Sequence, residues 1–376
     1  MRIFHQFLGV EHPEVVFVRL QRVDFTSTLR TRTVRIAPRP RQNGNKGEKW
    51  LLLPGWTSLC ICGTRPINSC VMCFIACDSL KKDPNAFCPR TRLSRTLDAY
   101  EDLVRENVGT DSGEGLHLKV GFAIECVMPD APFPRPTTAR SLDRTSAVAM
   151  ITNLPLLEGI VAKLEVAGIK VKHFHNELRN HFAIALEPQT AVFAVDGIMR
   201  AQETIRAVCY EHQLTSLPLA ATQHPVSMVD HPLDGCHIYM TMNHALSGTS
   251  FLAGILHKLL PLRAFGFGNM ETYCTGNRWD YKNPHFTDRV KDMHFRFLDL
   301  SANHIYFLNL LIRAGIQGKR HDMLLPADPS VLNCVANETD GGGAHYKVTD
   351  PKPATFADAV EAAKEDVELQ RLSRVR

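Results

Sequence analysis

Residues 118–128 read LKVGFAIECVM, a strand-like run in which Glu125 is the lone carboxylate. Two similar runs follow, FAIALE at 182–187 and CHIYMTM at 236–242. Directly ahead of the first lies FHNELRNHFAIAL, 174–186, where Glu177 stands among His173, His175 and His181. Three imidazoles and one carboxylate so close together look like the start of a metal site. The alternate strand positions that follow, however, carry Ala183 and Ala185 rather than acids. The chemistry of the chain turns on whether these runs share one sheet face, because residues two apart on a strand point the same way.

Between and around the strands lie helical patterns. TRLSRTLDAYEDLVREN repeats Leu93, Leu97, Tyr100 and Val104 at helical spacing. SAVAMITNLPLLEGIVAKLEVAGI places Leu156, Ile160 and Leu164 after a proline, with Gly168 as the expected C-cap. VDGIMRAQETIRAVCYEH stripes Ile198, Ile205 and Val208 behind an expected N-cap at Asp196. SFLAGILHKLLPLRAF and ANHIYFLNLLIRAGI are apolar nearly all round and predict core helices. The tail predicts a helix with Phe356, Val360, Ala363 and Val367 on one face. Near the N-terminus, VFVRLQRVDF alternates with period two and TRTVRIAP follows a short turn, which suggests a hairpin.

Composition bounds the class. The 376 residues suit two domains or one composite one, and 44% hydrophobic with 22% charged residues is ordinary for a globular protein. A net charge of +4 is too small to argue for nucleic acid, and Arg30, Arg32, Arg35, Arg39 and Arg41 read as a solvated strand edge. No apolar run reaches the roughly 18 residues of a spanning helix, and eleven cysteines without a secretory pattern suggest a reducing, cytoplasmic location. Cys60, Cys62, Cys70 and Cys73 could hold zinc by spacing, but SCVMCFIAC reads better as a buried strand using cysteine as a small apolar residue. TDGGGAH, 339–345, lacks the Lys-Ser/Thr of a phosphate loop and reads as a connector.

The motifs VGFAIECVM, HNELRNHFAIAL, DGCHIYMTM and HFRFLDLSANHIYFLNLLIRAGIQG, in that order and rough spacing, resemble those of the glutamine synthetase family. The likeness is greatest to the fungal and bacterial glutamine-synthetase-like branch, which includes γ-glutamyl-amine ligases. SCVMCF, FCPRTRLSRTLDA, AVDGIMRAQETIRAV and FLAGILHKLLPLRAF also match. The resemblance implies an α+β fold. An N-terminal β-grasp-like domain, 1–88, would carry a poorly matched 37–66 without the family's ammonium-latch loop. A catalytic domain, 89–376, would have a curved antiparallel sheet with flanking helices and a helical tail. It implies ATP with Mg2+ or Mn2+, phosphorylation of the γ-carboxylate of a glutamate-like acid, and attack by ammonia or an amine. A homo-oligomer is implied as well, with neither nucleic acid nor membrane as partner.

Residue by residue, the family's GFEIEF is here Gly121 to Cys126, so one metal-binding acid becomes Ala123 and the other stays as Glu125. Glu177 matches the first acid of HxExxPGQFE, while the second falls on Ala183. His237 keeps the metal position of GxHxHxS, and Tyr239 replaces the histidine that helps hold nucleotide or substrate. In the last strand the glutamate ligand is absent and Arg296 takes the place of the substrate arginine. Asn283, Pro284 and Arg289 retain one of two phosphate-handling arginines of NRxxxxR. The resemblance thus implies two metal sites, one keeping Glu125 and Glu177 and the other keeping only His237, with catalytic residues Arg289 and Arg296 and nucleotide contacts at Tyr239 and Arg289. The three histidines at 173, 175 and 181 fall on none of the family's metal positions. Two function classes follow: a carboxylate–amine ligase with impaired metal sites, or an inactive paralogue serving as subunit or scaffold.

Overall fold

A computed structural model describes residues 17–23, 29–35, 70–73, 89–108, 118–127, 147–178, 181–212, 217–218, 236–242, 248–267, 281–282, 292–300, 302–324, 333–337, 345–349 and 355–367. The chain divides into two compact units, one of residues 1–92 with 165–168 and 375–376, the other of 93–164 and 169–374. In the first unit, β1 (Phe17–Val23) and β2 (Leu29–Arg35) pair antiparallel as the expected hairpin. The short β3 (Cys70–Cys73) runs parallel to β1, giving the order β2-β1-β3. Cys60, Cys62 and the glycine run 341–343 lie outside the described residues.

The second unit is built on a seven-stranded sheet whose main path is β11-β9-β4-β6-β5. Its strands are β4 (Lys119–Val127), β5 (Val171–Leu178), β6 (His181–Leu186), β9 (Cys236–Thr241) and β11 (Asp292–Leu298), with β7 (Gln189–Thr190) and β8 (Leu217–Pro218) paired to β4. Every pairing is antiparallel. A separate sheet orders β10 (Tyr281–Lys282), β13 (His345–Thr349) and β12 (Asn333–Asn337). Strand β4 shows why this run is central. Val120, Phe122, Ile124 and Cys126 are wholly buried on one face, and the next face carries Gly121, Ala123 and Glu125. Both faces are covered, which explains a sequence without clean polar alternation.

The described helices are α1 (Pro89–Val108), α2 (Ala147–Val166), α3 (Ala191–Glu211), α4 (Gly248–His257), α5 (Leu259–Gly266), α6 (His304–Arg320) and α7 (Phe356–Glu365). In α1, Leu93, Tyr100 and Val104 are buried as their spacing predicts. Helix α2 runs through Pro155 and ends where Gly168 takes a φ of 78°. Asn303 caps α6 by accepting from the Tyr306 amide at 3.2 Å. Helices α4 and α6 approach backbone to backbone, since a Cβ on Gly254 would lie 2.2 Å from the Ala314 carbonyl oxygen.

Three local expectations are corrected. Helix α3 starts at Ala191 with Thr190 as N-cap, so Asp196 is buried inside the helix rather than capping it. Ala191, Ala194 and Val195 pack inward, and that burial extends the helix by a turn and more. The single core helix expected over SFLAGILHKLLPLRAF is two helices, α4 and α5, broken at Lys258. Pro261 then falls in the first turn of α5, where a missing N–H is tolerated. In α7 the buried residue is Ala359, while Val367 is 62% exposed; a Thr355–Asp358 capping box fixes the helix start and hence its phase.

Candidate functional site

The antiparallel register builds the site. Ala123 on β4 lies opposite His237 on β9 and opposite Ala185 on β6. One pair further along β4, Glu125 lies opposite Ala183, which in turn faces His175 on β5. Gly121 lies opposite Tyr239. With side chains alternating across each strand, Glu125, Ala123, His237, Tyr239, Ala183, Ala185, His173 and His175 share one face of the sheet.

Glu125 and His237 meet on that face. The His237 Nε2 lies 3.1 Å from the Glu125 Oε1, and the side chains are only 4% and 7% exposed. The Tyr239 ring, half-buried, lies 6.5 Å from the His237 ring at a tilt of 56°. The carboxylate influences the thiols beside it. Burial first, then Glu125 and Asp299, push the Cys236 thiol well above its ordinary range; burial, Cys209 and Glu125 do the same to Cys126. Both thiols are therefore protonated and lie on the core face, unsuited to nucleophilic or ligand roles. On the outer strand, burial, then His175, then Lys172 lower the His173 pKa.

Strand β11 supplies the site's other wall. Phe295 pairs with Ile238 and Leu298 with Cys236, so Arg296 and Phe297 together stand opposite the single His237. This is a β-bulge, a device that re-aims side chains at sheet edges and sites. Arg296 is thereby placed on the strand neighbouring His237; its backbone alone is described. Glu177 lies on β5 at a second irregularity, between Asn176 and Leu178, and again only its backbone is described. Arg289 lies outside the described residues. Of the expected site residues, then, Glu125, His237 and Tyr239 come together with side chains in place.

The donor set can be tested against the metals that the motifs imply. Bonds of about 2.1 Å at right angles set neighbouring ligand atoms about 3.0 Å apart, close to the 3.1 Å between Glu125 and His237. Those two groups fit adjacent positions on one octahedral ion. Among the described residues, no group of three or more His, Cys, Asp or Glu could hold a metal. Ala123 and Ala183, whose side chains stop at Cβ, occupy the register positions beside Glu125 and His237.

Reasoning from sequence put His237 near Glu125 but in a separate metal site, and so missed their direct contact, and it missed the bulge at Arg296. The first needs the β4–β9 register, which no local pattern encodes. The second had a signal, since the HFRFLD strand is shorter than its motif, but shortening does not say where a bulge falls.

An antiparallel sheet thus brings a carboxylate and an imidazole together on one face. No family sequence model and no curated protein matches this chain. Solved structures do. A glutamine synthase homologue superposes with a TM-score of 0.64 at 16% identity, over 95% of this chain and 90% of that one. GmaS in its ADP complex gives 0.65 at 12%, over 99% and 92%. Plasmodium falciparum glutamine synthetase gives 0.64 at 11%, over 100% and 92%. The chain has the fold of the glutamine synthetases. No helix among the described residues is long and apolar enough to cross a membrane.

Proposed function

We propose that this chain is an ATP-dependent ligase of the glutamine synthetase type, joining ammonia or an amine to the γ-carboxylate of a glutamate-like acid, with a metal centre so reduced that turnover is slow. The carrying observation is the pairing of Ala123 with His237 and of Ala183 with Glu125, at positions where the motifs call for acids. Glu125 and His237, with Glu177, would hold one Mg2+ or Mn2+ ion. Such an ion neutralises phosphate charge during phosphoryl transfer. Tyr239 and Arg289 would contact the nucleotide, and Arg289 and Arg296 the transferring phosphoryl and the acid. The ADP in the GmaS structure supports a nucleotide site in this fold. The division into a β-grasp-like domain, 1–88, and a catalytic domain, 89–376, assembly as a homo-oligomer and a cytoplasmic location belong to the same reading.

A second reading, an inactive paralogue acting as subunit or scaffold, is favoured by one observation. Glu125 and His237 lie within ion-pair distance, so each partners the other without an ion. The test is phosphate release that depends on glutamate and ammonium together, in Mg2+, beside the double variant Ala123→Glu/Ala183→Glu. The ligase reading expects slow turnover that rises in the double variant. The scaffold reading expects none in either. Turnover near the ~10 s⁻¹ of a typical enzyme in the unaltered chain would overturn the impairment.

A further inference from the structure

The site face continues outward past β6. His173 pairs with Ala185 and His175 with Ala183, so both imidazoles stand on the face that carries Glu125 and His237. An irregularity between Val171 and His173 sets this phase. Between the histidines, Phe174 pairs with the wholly buried Ile184 and shares its face on the core side. β5 ends the sheet path, and there the site face reaches solvent: His173 is exposed and His175 half-buried. The two rings stack with centroids 5.7 Å apart at 26°. Ala183 and Ala185, across from them, present only methyl groups.

We propose that His173 and His175 form a two-imidazole site for one divalent ion of the Zn2+, Ni2+ or Cu2+ class, separate from the Glu125–His237 pair. Histidines two apart on a strand are a chelating arrangement, because the pleat delivers both rings to one side at a separation fixed by the backbone. Metal–nitrogen bonds of about 2.0–2.1 Å bring two rings on one ion to roughly 5 Å between centroids. From the observed 5.7 Å and 26° stack, both rings must rotate about their side-chain bonds to turn one nitrogen each toward a common ion. Imidazole ranks the ions: nitrogen donors favour the later first-row metals, whereas Mg2+ requires oxygen. Glu125 does not join this site. It lies two strands away, about 10 Å at the usual strand spacing, and its carboxylate is turned to His237 on the opposite side. Water completes the coordination, since His173 is exposed. The site therefore takes an exchangeable ion. It is independent of the ligase reading, because neither histidine falls on a metal position of that reading.

The experiment uses the full chain and Ni2+ alone, by equilibrium dialysis at neutral pH with millimolar Mg2+ present throughout. One Ni2+ per chain is expected. His173→Gln and His175→Gln should each weaken it by at least about tenfold, given that losing even an outer partner of a metal ligand costs roughly 10–100-fold. Melting without metal should be nearly unchanged in both, because 173 is exposed and 175 half-buried. The eleven cysteines are the competing ligands. Co2+ in place of Ni2+ separates them, since thiolate ligation gives intense near-ultraviolet absorption that imidazole does not. Affinity within about twofold of the parent in either Gln variant, displacement by Mg2+, or a thiolate spectrum would each overturn the proposal.

Discussion

The contact between Glu125 and His237 makes an asymmetric prediction. Both side chains are under 8% exposed, with 3.1 Å between Nε2 and Oε1. Replacing His237 with Phe leaves a buried carboxylate without its imidazole. Breaking a buried ion pair from one side costs about 3–5 kcal/mol. Replacing Glu125 with Gln keeps the shape and removes the carboxylate charge, a smaller loss of about 1–3 kcal/mol. At about 2–4 °C per kcal/mol for a unit of this size, His237→Phe should lower the melting temperature by roughly 10 °C and Glu125→Gln by about half as much. The double variant should fall well short of the sum, because its second substitution acts on a contact already lost. The assay is thermal unfolding in EDTA, so that no adventitious ion stands in for the missing partner. If the two single variants melt alike and the double variant is additive, the groups do not hold one another and the site geometry argued here is wrong.

Two further outcomes check the frame that positions the site. Gly254→Ala should destabilise strongly, by several kcal/mol, because its Cβ would meet backbone at 2.2 Å, while Gly159→Ala, with nothing within 4 Å inside α2, should stabilise by about 0.5–1 kcal/mol; chemical denaturation measures both. His304 is wholly buried against Phe122 and burial lowers its pKa to about 4, so the unfolded chain binds its proton first as pH falls through 6.5. Stability should therefore rise with pH between about 4 and 6.5, by up to about 3 kcal/mol, and the slope over that window should flatten in His304→Gln.

The main strands of the sheet were legible because fully buried strands advertise themselves as continuous apolar runs, as at Val120 to Cys126. Helices with clean stripes, such as Leu93, Tyr100 and Val104, were equally readable. Boundaries failed where tertiary burial overrode a local signal: Asp196 looks like a cap, yet Ala191 and Val195 gain more by extending the helix inward. The candidate site was legible only as a set of residue types. That Glu125 would reach His237 depends on β4–β9 register, a property of strand pairing between segments more than a hundred residues apart. Likewise, the stacking of His173 on His175 requires the irregularity after Val171, and a phase shift of one residue would have sent both rings to the other face.

The two faces of β4 also differ in what they tolerate. Acids clustered to bind metal are costly in a buried, metal-free site, since like charges and desolvation both raise their energy. Alanine at 123 removes that cost, so its presence follows if fold is kept and metal affinity is not. Ala123→Glu should reverse the trade. Ala123 is 3% exposed, directly opposite His237, and two residues from Glu125 on the same face. In EDTA the added side chain should destabilise through both its volume, about 1–3 kcal/mol, and its buried charge, about 3–5 kcal/mol. Only the second part can be recovered by an ion. Ala123→Gln, of the same size without the charge, separates the two. Adding Mn2+ at about a hundredfold over its dissociation constant should return about 2.7 kcal/mol to the Glu variant, or roughly 5–10 °C, and almost nothing to the Gln variant. Equal Mn2+ shifts in the two variants would mean that position 123 does not face a cation site, and the assignment of this face as the metal-binding wall would fail with it.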